Sequence, residues 1–189
     1  MDSCSHLGSI CKIAVASSYL LQCSGRPDLA AKYAEHLNSN VEYVLFPLCK
    51  SDHWSLLVLC VKQRCVLTLD SGLNKGFGHG DDALAEACAL IKTTASPLIP
   101  AITGDDALEH EEQPVSQQPN CVDCGVHVIM NAGSIIRHLA EGGSADSWVS
   151  RSNSASEIKR IRLTLCPRLH LRRRAGQRQS LGRQLLRCV

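Results

Sequence analysis

The run His53-Trp54-Ser55-Leu56-Leu57-Val58-Leu59-Cys60-Val61 is apolar almost throughout and of strand length. Only the polar triplet Lys62-Gln63-Arg64 separates it from a second strand-like run, Cys65-Val66-Leu67-Thr68-Leu69-Asp70, which ends in the turn signal Ser71-Gly72. Two such runs joined by so short a polar break predict an antiparallel hairpin. If the turn centres near Gln63, facing residues have numbers that sum to about 126. His53 and Asp70 then share the open end of the hairpin with a stagger of a few residues. A carboxylate there can hold one imidazole nitrogen and leave the other free to take a proton.

A candidate proton donor lies downstream. The segment from Gln117 to Gly125 reads Gln-Gln-Pro-Asn-Cys-Val-Asp-Cys-Gly, and behind it Val126, Ile129, Met130 and Ile136 recur at roughly helical spacing. Cys124 is thus predicted at the start of a buried helix, where free backbone N–H groups and the helix dipole favour the thiolate, the nucleophilic form. In isolation His53 reads better as a strand-end histidine with no function and Asp70 as a mere turn residue. Cys121 and Cys124 also form a C-x-x-C pair to which His127 could add a third ligand, but no second C-x-x-C completes a zinc site. Cys121 is read as a small loop residue, and no metal or organic cofactor is expected.

Taken together, His53-Trp54, Asp70 seventeen positions on, and Gln118 six positions before Cys124 in Asp-Cys-Gly resemble the ubiquitin-like-protein-specific cysteine proteases, the family of SUMO proteases and deneddylases. The resemblance spans approximately Ser17 to Leu139. It implies a papain-like α+β fold with a central, mostly antiparallel sheet and the nucleophile at the N-terminus of a buried helix. It further implies His53 as general base, Asp70 as its orienting partner, Cys124 as nucleophile and Gln118 as oxyanion-hole side chain, with the Cys124 backbone N–H as second donor. Trp54 matches the tryptophan that covers the modifier's Gly-Gly tail, and Asn120 a position commonly filled by Asn. The implied activity is cleavage of the peptide or isopeptide bond at the C-terminal glycine of a ubiquitin-like modifier. The wording His-Trp-Ser-Leu-Leu-Val favours the deneddylase branch. The partners implied are the modifier and its conjugates.

Two stretches depart from that pattern. The family's N-terminal Trp-Leu-Asn-Asp type signature has no counterpart, so the N-terminal part of the family domain is expected to be missing. A second reading follows, in which the chain is a catalytically impaired, truncated relative that binds the modifier. From Lys159 to Val189 the chain carries ten Lys or Arg and no acid, so of 20 basic and 18 acidic residues in all, residues 1–158 hold 10 and 18. The expected organisation is a catalytic domain over 1–158 and a basic tail over 159–189. Such a tail could touch nucleic acid, but a solvated extension is the simpler reading.

At 189 residues and 44% apolar content, the chain suits one globular domain with a tail. Aromatics make up only 4%, so Leu, Ile, Val, Ala and Cys must fill the core. No apolar run is long enough to span a bilayer. The 11 cysteines are odd in number and scattered through apolar surroundings, which suits buried thiols in a reducing compartment. A monomer in the cytoplasm or nucleus is expected. Helices are predicted over Pro27–Leu37 and over Asp81–Ala95, the latter capped by Asp81 or Asp82 with Leu84, Cys88 and Ile91 inward. Val41–Leu48 is read as the strand before His53, and Thr103–Asn120 as a loop delivering Gln118. The remaining histidines, His79 among them, and Trp148 are read as surface or structural.

Overall fold

A computed structural model describes residues 12–20, 37–145, 147–150 and 153–174, together with Arg26 and Lys32; the side chains of Lys75 and of residues 166–174 are outside this description. The helix expected over Pro27–Leu37 therefore lies outside the described residues, apart from Lys32 and Leu37. The tail beyond residue 174 does too.

Five strands form one sheet in chain order: β1 (Ile13–Val15), β2 (Tyr43–Lys50), β3 (His53–Cys60), β4 (Cys65–Leu69) and β5 (Glu109–Glu112). The two central pairings, β2 with β3 and β3 with β4, are antiparallel, whereas β1 and β5 add to the edges in parallel. Among the described residues, three α-helices accompany the sheet in an α+β arrangement: α1 (Asp81–Ala95), α2 (Cys124–Ala140) and α3 (Ala155–Arg174).

All eight residues of β3 are buried, which explains why its sequence is a continuous apolar run rather than an alternation. Leu57 and Leu59 join Val44, Phe46 and Val66 in one core layer with Leu84, Ala87 and Ile91 of α1. Trp54, Leu56 and Val58 face the other way with Leu45, Leu67 and Leu69, against Cys124, Val128, Ile135 and Leu139 of α2. The sheet is thus packed between α1 and α2. The β3–β4 register pairs Leu56 with Leu69 and Cys60 with Cys65, close to the pairing expected from the turn. At the other end of β3, Ser51 and Asp52 form a two-residue connection with φ of 53° and 61°. That mirror-image turn geometry matches the strand twist and delivers His53 at the strand's first position.

Several local expectations need correction. Neither Asp81 nor Asp82 caps α1: Gly80 holds the cap position without a side-chain bond, and both carboxylates sit in the first turn, where they complement the dipole. Cys88 is only half-buried, and Ala87 takes the inward position beside Leu84 and Ile91. On α2, Ile129 is 41% exposed and Met130 and Ile136 half-buried, because the stripe facing the sheet is Cys124, Val128, Ile135 and Leu139. The segment Thr103–Asn120 is not all loop, since it contains β5 with four exposed side chains, Glu109, His110, Glu111 and Glu112. Its backbone pairs with β4, His110 Nε2 lies 2.7 Å from the Thr68 hydroxyl, and charges along such an edge discourage pairing with another chain.

Residue 158, expected to close the domain, falls inside α3. A reciprocal capping box starts that helix: Ser154 N–H donates to Glu157 Oε2 at 3.0 Å and Glu157 N–H to Ser154 Oγ at 3.3 Å. Ile158 is then buried in the domain.

The two faces of α2 make a stability prediction. Ile135→Ala should cost about 2–5 kcal/mol of unfolding free energy, whereas Ile129→Ala should cost less than about 1 kcal/mol. Urea denaturation of both variants measures the difference, and equal losses would contradict the assigned face.

Candidate active site

The open end of the β3–β4 hairpin holds a buried carboxylate and imidazole. His53 Nε2–H donates to Asp70 Oδ1 at 2.7 Å. The same Oδ1 accepts the Gly72 backbone N–H at 2.8 Å, and Oδ2 accepts that of His79 at 2.9 Å. Burial alone would raise the Asp70 pKa, but the His53 bond, the two backbone donors and the His53 charge hold it below the usual carboxylate value.

Gly72 is required here for space. A Cβ at that position would stand 2.7 Å from His53 Cε1, 3.0 Å from Nε2 and 3.3 Å from Asp70 Oδ1. Any other residue would push against the hydrogen bond that orients the imidazole.

With Nε2 committed to Asp70, Nδ1 is the ring nitrogen left for Cys124. Burial opposes ionisation of the Cys124 thiol, yet its hydrogen bond with His53, the backbone N–H groups of Trp54 and Gly125 and the His53 charge outweigh that and lower its pKa. His53 responds in the opposite sense. Burial disfavours its charged form, but hydrogen bonds and charges from Asp70 and Cys124 push it up to about 9. By contrast, burial raises the pKa of the Cys65 and Cys88 thiols, which have no such partner. Among the described cysteines, Cys124 alone begins a helix beside an imidazole. The lowered thiol and raised imidazole favour a thiolate–imidazolium pair, a form that can attack a carbonyl and then return a proton.

The chain between β5 and α2 runs along the end of β4 and carries the next group in. Gln113 N–H donates to Thr68 O at 2.9 Å and Gln118 N–H to Ser71 O at 2.8 Å. Gln118 is 1% exposed. Ser71 Oγ–H donates to its Oε1 at 2.9 Å, and its Nε2 donates to Asn120 O at 2.5 Å, so one of the two amide hydrogens remains for another acceptor. Its neighbour Gln117, which the sequence reading passed over, bridges Asp70 O at 3.0 Å and the Asn74 N–H at 3.0 Å. Gln117 therefore ties the loop after β4 to the loop before Cys124.

Asn120 shapes that second loop. Its Oδ1 accepts the N–H groups of Val122 and Asp123 at 3.0 and 3.1 Å, and its Nδ2 donates to Asp123 Oδ2 at 2.7 Å. Asp123 also pairs with Arg162 of α3, linking the helix that crosses residue 158 to the residue before Cys124. Trp54 is buried in the core layer that contains Cys124. Cys121 is exposed and both members of the C-x-x-C are free thiols.

His79, expected at the surface or in a structural place, is buried against the Asp70 carboxylate, with its ring centroid 5.0 Å from that of His53. It comes from the Gly-rich turn after Leu73, whose lack of apolar pattern gave no sign of burial. The potential ligand atoms of His53, Asp70 and His79 lie within 4.8 Å of one another, and hydrogen bonds already account for each of them.

A family model described as the Ulp1 protease family, C-terminal catalytic domain, matches residues 22–164. Among solved structures, the fold is similar to the C-terminal Ulp1 protease domain in complex with Smt3, the yeast ortholog of SUMO: 17% identity, 73% of this chain and 63% of that one, TM-score 0.52. It is similar also to the Ulp1-like SUMO protease catalytic domain of Chaetomium thermophilum, at 19% identity over 79% of this chain and 65% of that one, TM-score 0.53. The Xanthomonas campestris effector XopD, solved bound to ubiquitin, is covered more fully, at 17% identity over 85% of this chain and 88% of that one, TM-score 0.57. At these identities the likeness is one of fold, and the chain spans less than two thirds of the first two structures. No curated protein sequence matches the chain.

Gly72→Ala should slow alkylation of Cys124 at neutral pH by roughly tenfold to a hundredfold, the scale expected for a catalytic group displaced by about 1 Å. Gly133→Ala, whose Cβ would meet open space, should leave the rate unchanged. Equal rates in both variants, read by mass spectrometry of the Cys124 peptide, would contradict the steric role of Gly72.

Proposed function

The chain belongs to the Ulp1 protease family, and from that premise we propose that it is a cysteine peptidase hydrolysing the bond after the C-terminal glycine of a ubiquitin-like modifier. The observation that carries this reading is the buried relay in which Asp70 holds His53 at 2.7 Å and His53 in turn hydrogen-bonds with Cys124.

Each group then has one task. The Cys124 thiolate attacks the carbonyl carbon of the terminal glycine, forming a tetrahedral oxyanion. The free amide hydrogen of Gln118 and the Cys124 backbone N–H meet that oxyanion; loss of one such donor typically costs roughly 3 kcal/mol of barrier stabilisation. The His53 imidazolium gives its proton to the departing amine, the C–N bond breaks, and a thioester remains on Cys124. A water molecule, losing its proton to His53, attacks the thioester and releases the modifier's carboxylate and the free thiolate. Asp70 keeps the imidazole in one tautomer and one orientation throughout.

Trp54 suits the wall of a narrow channel over two glycines, where selection comes from excluding anything bulkier. Asn120 acts by holding the turn before Cys124, since both ends of its amide are engaged there. The solved relatives bind Smt3 in one case and ubiquitin in another, which supports the modifier class for this chain. Within that class the neddylation modifier is the preferred substrate, on the likeness of His53-Trp54-Ser55-Leu56-Leu57-Val58 to the deneddylase branch.

A labelling panel tests the reading. The purified chain should react covalently with a neddylation modifier carrying a C-terminal electrophile, more slowly with SUMO or ubiquitin counterparts, and not at all as Cys124→Ala. Labelling that survives Cys124→Ala would overturn the nucleophile. Binding of the modifier with no labelling of the intact thiol would favour a non-catalytic binding role.

A further inference from the structure

We propose that His79 is a positioning residue for the relay: its imidazole pins the turn after β4 to the sheet, so that its own backbone N–H holds Asp70 Oδ2 and Oδ1 stays aimed at His53. The inference rests on the peptidase reading of Cys124 and His53.

The ring makes two bonds to different parts of the sheet. Lys50 O, at the end of β2, lies 3.3 Å from Nε2, and a carbonyl can only accept, so Nε2 carries the hydrogen. Nδ1 is then the acceptor for the Ser55 hydroxyl of β3 at 2.9 Å. Burial favours the neutral imidazole, and in that form these two bonds select a single tautomer. These two anchors sit on adjacent strands, one of which begins with His53 itself. Through them the His79 backbone N–H reaches Asp70 Oδ2 at 2.9 Å.

Neutrality matters to the device. Nδ1 lies 3.6 Å from Asp70 Oδ2, so a proton there would create a second cation competing with His53 for one carboxylate. Four charged or titratable groups surround the ring from the packed elements: Asp70, His53, Lys50 and, paired with the Lys50 ammonium at 2.5 Å, Glu86 of α1. Of these, His53 and Lys50 disfavour a second positive charge, and the hydrogen-bond anchors use the ring without one.

The test is the pH dependence of Cys124 alkylation by iodoacetamide on the full chain, read at the Cys124 peptide by mass spectrometry. In the wild type the half-point should lie below the ordinary thiol value of about 8.5. His79→Ala should move it upward by about one pH unit, which is roughly a tenfold loss of rate on the acid side. Glutamine can donate to Lys50 O and accept from Ser55, so His79→Gln should recover most of that shift. Ser55→Ala should move the half-point in the same direction as His79→Ala, and serves as the second variant if His79→Ala does not fold. A folded His79→Ala or Ser55→Ala with the wild-type half-point would overturn the positioning role. A wild type that itself alkylates only in the ordinary thiol range would instead overturn the thiolate–imidazolium reading, and the proposal with it.

Discussion

The structure turns on one buried carboxylate. Asp70 sits just past the last residue of β4, where the sheet no longer supplies ladder partners, and its two oxygens accept from His53, Gly72 and His79. An ionised carboxylate in such a place is unfavourable unless its acceptor sites are filled. Once filled, the charge becomes the fixed point against which the imidazole is set and, through it, the thiol. The surrounding loops read as devices that serve it. Gly72 makes room for the ring, Gln117 holds the Asp70 carbonyl, and the turn carrying His79 closes the far side.

The second requirement is that two distant pieces of chain meet there. The sheet contributes His53 and Asp70, and α2 contributes Cys124 across the core layer formed by Trp54, Leu56, Val58 and Val128. Because that layer is close-packed, the separation of base and nucleophile is set by side-chain volumes far from the chemistry. The Arg162–Asp123 pair extends the same dependence to α3, fastening the residue before Cys124 to the helix that crosses the expected domain edge. The family match runs from residue 22 to 164 and so into α3.

Much of this could be read in the amino-acid order because its signals are local. The β3–β4 hairpin follows from two apolar runs and a polar break, and its observed register is close to the one expected. The start of α2 at Cys124 and the full extent of α1 follow from periodicity and turn residues. What escaped notice depends on partners distant in sequence. β5 is four exposed polar residues whose only strand-like property is the backbone bonding offered by β4. Ile129 lies on the exposed side of α2, away from the stripe that meets the sheet, a placement that periodicity alone cannot orient. His79 is flanked by glycines in a turn, and the partners that hold it, Ser55, Lys50, Asp70 and the His53 ring, lie on other elements.

The central claim is that Cys124 is ionised in the resting protein because an imidazolium, itself held by Asp70, stands beside it. Ultraviolet absorbance of the thiolate, followed against pH as the difference between the wild type and Cys124→Ala, measures this directly. The account predicts a thiolate signal that appears at lower pH than that of an ordinary thiol, with the partner imidazolium titrating at about 9. A difference signal that first appears at the pH of an ordinary thiol would contradict it.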